Sequence, residues 1–390
     1  MKQRQMNNST TLWDKRFVLI NIIFFLIFSN ISFFYLYPLA LQAMGSEDYL
    51  IGLVMGLFSV ATVISRPFMG KLAASQGEQR LILWGIGAIL VASVSYAFEQ
   101  SFGPAVILTR IFHGVGFSAF ISGSFSIVAK VFPSARRAQA YAVVGAALMS
   151  ASALAPPFGE IIINRSGFTL LYLAASLAAL IALALMAMMR STLGTGGPLQ
   201  QARPAGYITM IKDSSLCCLL LSTLIFAHCQ STVVNFLALI AQAKGTLSGR
   251  FFLTAFAVAI FLLLGFGKAI DRFGKRRFLR LSYPLLVAGL FLIPSMLEAN
   301  IFFVPAGLFG VAMGLLFPAH NALAADHGSK EEKAGVMSLF TAVYDTGFIT
   351  GAVLSGWMAQ TLGLDHLFSL TSLIALSGFI LVLFSPIRDK

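Results

Sequence analysis

Gly267-Lys268-Ala269-Ile270-Asp271-Arg272-Phe273-Gly274-Lys275-Arg276-Arg277 is a short basic segment set between two long apolar runs. A reduced version of it, Gly70-Lys71-Leu72 followed by Gly77 and Arg80, begins 197 residues earlier, again between two apolar runs. One segment recurring at one place in each half marks the chain as a duplication. Outward from these two points, charged or Gly/Pro-rich breaks divide the 390 residues into twelve apolar spans: 17–41, 50–69, 81–98, 104–129, 138–162, 167–189, 214–241, 250–267, 278–297, 301–325, 335–361 and 364–385. A helix needs about 20 mainly apolar residues to cross a bilayer, and these runs supply them. The longest interior break, Ser191 to Asp213, carries Gly-Thr-Gly-Gly-Pro near its start and reads as a flexible linker. The expected organisation is a six-helix bundle over 1–190, a cytoplasmic linker over 191–213 and a second six-helix bundle over 214–390.

Composition excludes the soluble classes. Apolar side chains make up 58% of the chain, charged ones 11%, and the mean hydropathy is +0.85. A soluble chain needs roughly a quarter of its residues charged. The net charge of +12 could mark a nucleic-acid binder, but its distribution points elsewhere. With the N-terminus in the cytoplasm, 23 of the 27 Lys and Arg fall in inside segments. Only Arg165, Lys244 and Arg250 fall outside, and Arg110 lies within a span. That bias is the signature of cytoplasmic loops, so both termini are expected inside and no nucleic-acid partner is needed. The first apolar run lacks a small-residue cleavage site and reads as the first span. Cys217, Cys218 and Cys229 share one apolar stretch without a Cys-x-x-Cys spacing, so they read as packing residues, with neither a disulfide nor a metal site expected. No nucleophile-base-acid arrangement, metal-spaced His cluster or P-loop is present, which argues against an enzyme, against ATP hydrolysis and against a cofactor.

The repeated segment resembles the G-x-L-x-D-R-x-G-R-R signature between spans 2 and 3 of the major facilitator superfamily. The second copy matches it closely; the first has Ala74 at the acidic position and Glu78 at a usually basic one. Leu108-Thr109-Arg110 with His113-Gly114-Val115-Gly116 is similar to the span 4 pattern R-x-x-Q-G-x-G, with His113 in place of Gln. Ala155-Pro156-Pro157-Phe158-Gly159-Glu160 resembles, with two departures, the G-P-x-x-G-G motif of exporter branches. The resemblance implies an all-α membrane fold of twelve helices in two pseudo-symmetric six-helix bundles. It also implies that Gly70, Gly77, Arg80, Gly267, Asp271, Arg272, Gly274 and Lys275 form conformational latches, with the first weakened at Ala74. In physical terms, an acid in such a segment attracts the positive end of a neighbouring helix. The same residues also suffice as simple topology signals.

Ionisable groups inside lipid are costly and each calls for a role or a partner. Asp345 lies about eleven residues into span 11, about 16 Å deep at 1.5 Å per residue, and no other acid is so deep. Its repeat counterpart is Leu148 or Met149, so the duplication does not explain it. Asp345 is a candidate proton carrier, or else a group bound to nearby backbone or hydroxyls. Arg110 and Glu160, near the outer ends of spans 4 and 5, complete the proton-coupling set and could pair with each other. The resemblance implies proton coupling or an anionic substrate group for Arg110. The central cavity of the family is lined by spans 1, 4, 7 and 10, which makes Asn30, Phe34, Arg110, His113, His228, Gln230, His320 and Asn321 substrate-binding candidates, each also readable as a packing residue. Small-residue ridges, Ala147, Ala151, Ala155 and Gly159 in span 5 and Gly347, Gly351 and Ser355 in span 11, allow close helix approach, either static or between halves that rock.

The functional expectation is a secondary active transporter of the cytoplasmic membrane, monomeric, moving a small amphipathic organic solute by alternating access, with proton-coupled efflux as the first form. An importer or uniporter of a metabolite, or a transport-inactive sensor or assembly protein on the same fold, is the alternative.

Overall fold

The computed structural model describes residues 15–131, 137–189, 213–299, 301–327 and 332–387, and within these ranges the side chains of all but residues 129–131, 137, 138, 266–273 and 334. Among the described residues every regular element is helical, as lipid demands, because a helix satisfies its backbone hydrogen bonds within the segment. The first span is α1 (Lys15–Phe33), a tighter 3-10 turn (Phe34–Leu36) and α2 (Tyr37–Ala43). It is followed by α3 (Asp48–Gln76), α4 (Glu78–Tyr96), α5 (Pro104–Val131) and α6 (Arg137–Met189). The second half comprises α7 (Ser214–Ala243), α8 (Ser248–Phe273), α9 (Lys275–Glu298), α10 (Phe303–Asp326), α11 (Lys333–Leu362) and α12 (Leu364–Phe384).

Eleven helical segments among the described residues are long and apolar enough to cross a membrane. One of them, α6, is 53 residues long and is broken at Gly167, whose φ of 79° is closed to most side chains. Since a crossing takes about 20 residues, the two arms of α6 are spans 5 and 6 and the fold has twelve crossings. The same turn recurs at matching places in the two halves: Gly45 and Gly245 after spans 1 and 7, Gly77 and Gly274 after spans 2 and 8, Gly167 and Gly363 after spans 5 and 11. All six have positive φ, and at Gly45, Gly77, Gly167, Gly245 and Gly363 an added Cβ would meet nothing within 4 Å. At these turns backbone conformation, and not space, requires glycine.

The turn at Gly77 also corrects the expected loop. Gly70 lies inside α3 and Gly267 inside α8, so both helices run past the expected span ends at 69 and 267, and one glycine, Gly77 or Gly274, separates each from the next helix. The basic segments are helix ends joined by a single residue, and not loops.

The chain forms two bundles. In the first, α1 packs on α6, and α5 on α3 and α4; in the second, α7 packs on α11 and α12, and α10 on α8 and α9. The main pairs crossing between them are α3 with α11 and α6 with α8, and the 3-10 turn and α2 of the first span also touch α7. The face carrying the Gly45, Gly167, Gly245 and Gly363 turns is called the distal face below, and that carrying the Gly77 and Gly274 turns the proximal face. On the distal face Lys244 bonds Glu298 at 3.0 Å and Asp365 at 3.1 Å, tying three helix ends of the second bundle together. The small-residue ridges face inward within their own bundles. A Cβ on Gly347 or Gly351 would strike α7 at Ala227 or His228, and one on Gly159 would strike Leu36 and Leu171. Of the two readings of these ridges, static packing is the one their contacts match.

Candidate functional site

Between the bundles lies a cavity of about 450 Å³, within the range of small-molecule sites. Its wall is rich in aromatic and thioether side chains: Phe28, Phe34, Tyr35, Phe58, Phe117, Phe125, Phe256, Phe317, Phe340, Tyr344 and Phe348, with Met55, Met149 and Met313. The charged side chains in it are Arg66, Arg110 and Asp345. Such a lining favours an apolar body with one or two polar anchors.

Asp345 pairs with Arg66, an ion pair that joins α11 of the second bundle to α3 of the first. Arg66 was counted above among the cytoplasmic cations. It lies instead well inside α3, followed by Pro67, and its side chain is only 31% exposed. The expected span 50–69 already contained Arg66, and only the count of cytoplasmic cations set it outside the membrane.

Arg110 and Glu160 do not pair. Arg110 is 4% exposed; its guanidinium lies 4.9 Å from the Phe58 ring centroid, 5.5 Å from Tyr37 and 5.9 Å from Phe34, and its Nη2 contacts Met55 Sδ at 3.4 Å. Aromatic faces stabilise a desolvated cation, and among the described residues no carboxylate oxygen lies within ion-pair distance of this arginine. Glu160 turns the other way, out of the first bundle. It accepts hydrogen bonds from Ser248 N and Ser248 Oγ, both at 2.7 Å, and from Gly249 N at 2.9 Å. Leu247, at the cap position of α8, has no side-chain acceptor, and Glu160 provides one from the opposite bundle.

That contact forms half of a two-seam closure of the distal face. A Cβ on Gly249 would lie 2.4 Å from Pro157 Cα, and one on Gly52 would lie 2.5 Å from Ala352 O and 2.7 Å from Gly356 Cα. The bundles therefore meet there backbone to backbone. The seams are repeat equivalents. Gly52 and Gly249 stand at the same distance before the turns at Gly77 and Gly274, and Gly356 and Glu160 at the same distance before Gly363 and Gly167. Where the second half uses a glycine, the first uses a charged cap. Glu160→Gln is expected to weaken the closure by about 1–2 kcal/mol, a factor of about 5–30 in the closed population. Spin labels at the exposed positions Asn164 and Leu247 should then gain a longer distance component, and an unchanged distribution would make the cap irrelevant to closure.

Of the other binding candidates, Phe34, His113, Gln230 and Asn321 line the cavity, and Gln230 accepts from Tyr344 Oη at 2.6 Å. Three candidates are absent from its lining. Asn30 donates to Ser93 Oγ and to the Ala175 carbonyl inside the first bundle. His320 bonds Ser222 Oγ and stacks on Phe226 inside the second. His228 is buried beside Thr350. Each sits on a span that lines the cavity, but on a face turned away from it. Among the latch residues, Arg80 is exposed and Lys275 pairs with Asp326 within the second bundle. Gly267, Asp271 and Arg272 lie outside the residues whose side chains are described. No group of three His, Cys, Asp or Glu that could hold a metal occurs among the described residues.

A family model described as Major Facilitator Superfamily matches residues 17–265 and 219–390. The chain belongs to this superfamily. Membership of a transporter family makes it an integral membrane transporter of a small molecule and not an enzyme. It is 25% identical over 334 residues to the uncharacterised MFS-type transporter YhhS of Escherichia coli, covering 80% of this chain and 79% of that one. It is 22% identical to the multidrug resistance protein MdtG of Proteus mirabilis, covering 88% of each. The crystal structure of the nucleoside transporter NupG superposes with a TM-score of 0.77 at 12% identity, over 94% of this chain and 98% of that one, a likeness of fold alone.

Proposed function

We propose that this superfamily member is a secondary active transporter that exports a small amphipathic organic solute in exchange for protons. The observation that carries the reading is the Arg66–Asp345 ion pair, which bridges the two bundles at the cavity wall. Protonation of Asp345 removes one charge of that bridge, so a proton gradient acts directly on a contact between the bundles. The aromatic and methionine lining supports a lipophilic solute, and the similarity to MdtG supports export. The protein works as a monomer of two bundles, 1–190 and 214–390, joined by the linker 191–213, in the cytoplasmic membrane with both termini inside. Its proximal face is then cytoplasmic, and the face closed by the distal seams is the outer one.

The test is proton movement in proteoliposomes loaded with a pH-sensitive dye, under an imposed pH gradient, as amphipathic drugs, siderophores and sugars are added singly. Expected is a proton flux triggered by amphipathic compounds that disappears in Asp345→Asn. Transport with unchanged pH dependence in that variant would remove Asp345 from the mechanism.

A further inference from the structure

A cluster of polar aromatic residues fills the distal part of the first bundle, beside the cavity but mostly outside its lining. Tyr37 and Tyr96 have ring centroids 4.9 Å apart, Tyr96 and Tyr172 5.7 Å, and Tyr96 and His113 5.8 Å. Arg110 lies against Tyr37, and Tyr37 Oη donates to Glu99 Oε2 at 2.8 Å. Glu99 sits beyond the end of α4 on the distal face. The cluster thus runs from the distal surface at Glu99 to the cavity wall at Arg110 and His113.

Its hydrogen bonding is incomplete. Tyr96 Oη, Tyr172 Oη, Arg110 Nε, both ring nitrogens of His113 and Glu99 Oε1 are buried and make no well-formed hydrogen bond to another protein atom, although Tyr96 faces the Arg110 guanidinium and Glu99 faces Thr109. Tyr96, Tyr172, Arg110 and His113 are each at least 96% buried. Buried polar groups are almost always paired with protein or with ordered water. Leaving six such atoms dry in one place would cost as much as the whole stability margin of an ordinary domain. The equivalent places in the second bundle carry no such groups. Counted from the turn glycines, Tyr96, Arg110 and His113 correspond to Ile293, Gly307 and Gly310, and Tyr172 to Phe368. The fold therefore packs without them, and packing alone does not account for their presence in the first bundle.

We infer that a file of buried waters, held by Tyr37, Tyr96, Tyr172, Arg110 and His113, links Glu99 on the distal face to the cavity and carries protons along it while the bundles are closed on that face. The transfer balances at every step: each oxygen or ring nitrogen accepts one proton and releases another, and no heavy-atom bond changes. Glu99 is the entry, and the His113 ring is the last group before the cavity. The groups facing Glu99 are Tyr37, Thr109 and Arg110. Burial pushes its carboxyl up from the usual range against the smaller opposing pull of these three. His113 faces Arg110, Tyr96, Phe34 and Phe58.

The use of such a path rests on the proton-coupled reading, but its hydration does not, and the test separates them. X-ray hydroxyl-radical footprinting oxidises buried side chains that touch bound water. Tyr283 is an internal control, equally buried, with its hydroxyl bonded to Ser222. Tyr96 and Tyr172 are expected to be labelled about tenfold faster than Tyr283, as befits side chains that bind water. Labelling no faster than Tyr283 would overturn the inference whatever the transport assay reads. In the proteoliposome assay, Glu99→Gln and Tyr96→Phe should each slow proton flux while leaving equilibrium binding of the transported compound unchanged in detergent. Flux at the wild-type rate in both would overturn the conducting role. The Asp345→Asn comparison tests coupling independently.

Discussion

A Gly52→Leu protein is expected to lose the closed distal face. Gly52 meets Ala352 and Gly356 of the other bundle through backbone atoms, which have no rotamer with which to move aside. A side chain there must separate α3 from α11. Overpacking of this kind costs about 1–3 kcal/mol, which corresponds to a population shift of about 5–150-fold. The cost falls only on the state in which the seam is shut, so the equilibrium should move towards the distal-open state with the bundles themselves intact. Labels at the exposed ends of these helices, Tyr49 and Leu362, would report it after Cys217, Cys218 and Cys229 are replaced. Expected is a second, longer distance population. Gly87→Leu is the control, because a Cβ there meets nothing within 4 Å. A single short distance in a folded Gly52→Leu protein would show that this seam does not hold the state.

The second large effect is expected at the ion pair. Asp345→Asn leaves Arg66 without its carboxylate, and Arg66→Gln leaves Asp345 without its cation. Breaking a fully buried pair costs about 3–5 kcal/mol. With side chains 31% and 19% exposed, water screens part of that, and about 1–3 kcal/mol is expected for either single change. The double variant Arg66→Leu/Asp345→Leu should recover most of the loss, since it removes both charges and suits the apolar wall. Thermal unfolding in one detergent would give the coupling energy as a double-mutant cycle, with additivity of the two single changes as the result that denies the pair.

The seams and the pair lie at different depths, and this difference matters for mechanism. Gly52, Gly249, Gly356 and Glu160 close the distal end, whereas Arg66 and Asp345 bridge the bundles further along α3 and α11 towards the proximal end. The same two helices therefore carry a contact that holds one end shut and an ion pair that resists separation nearer the other. Protonation loosens only the second.

Reading the sequence located the deep charges but paired them wrongly. Asp345 is legible because counting along an apolar run at 1.5 Å per residue gives depth. Its partner was missed because Arg66 lies where the apolar run and the basic segment merge, and the helix continues seven residues beyond the expected end of the span at 69. Arg110 and Glu160 looked like partners because they are close in depth on consecutive spans. In the fold one faces an aromatic box and the other faces α8.

What the sequence by itself determined is whatever depends on one helix at a time. The number of the spans follows from bilayer thickness and the duplication from the repeated segment. Which side of each helix faces the cavity depends on its rotation, and one residue along a helix turns the side chain by about 100°. That is why Asn30, His228 and His320 stand on cavity-lining spans yet point into their own bundles. Contacts between bundles join residues far apart in the chain, as with Arg66 and Asp345 or Glu160 and Ser248. Only the packed tertiary structure decided those pairs, because no local preference of either segment encodes the other's position.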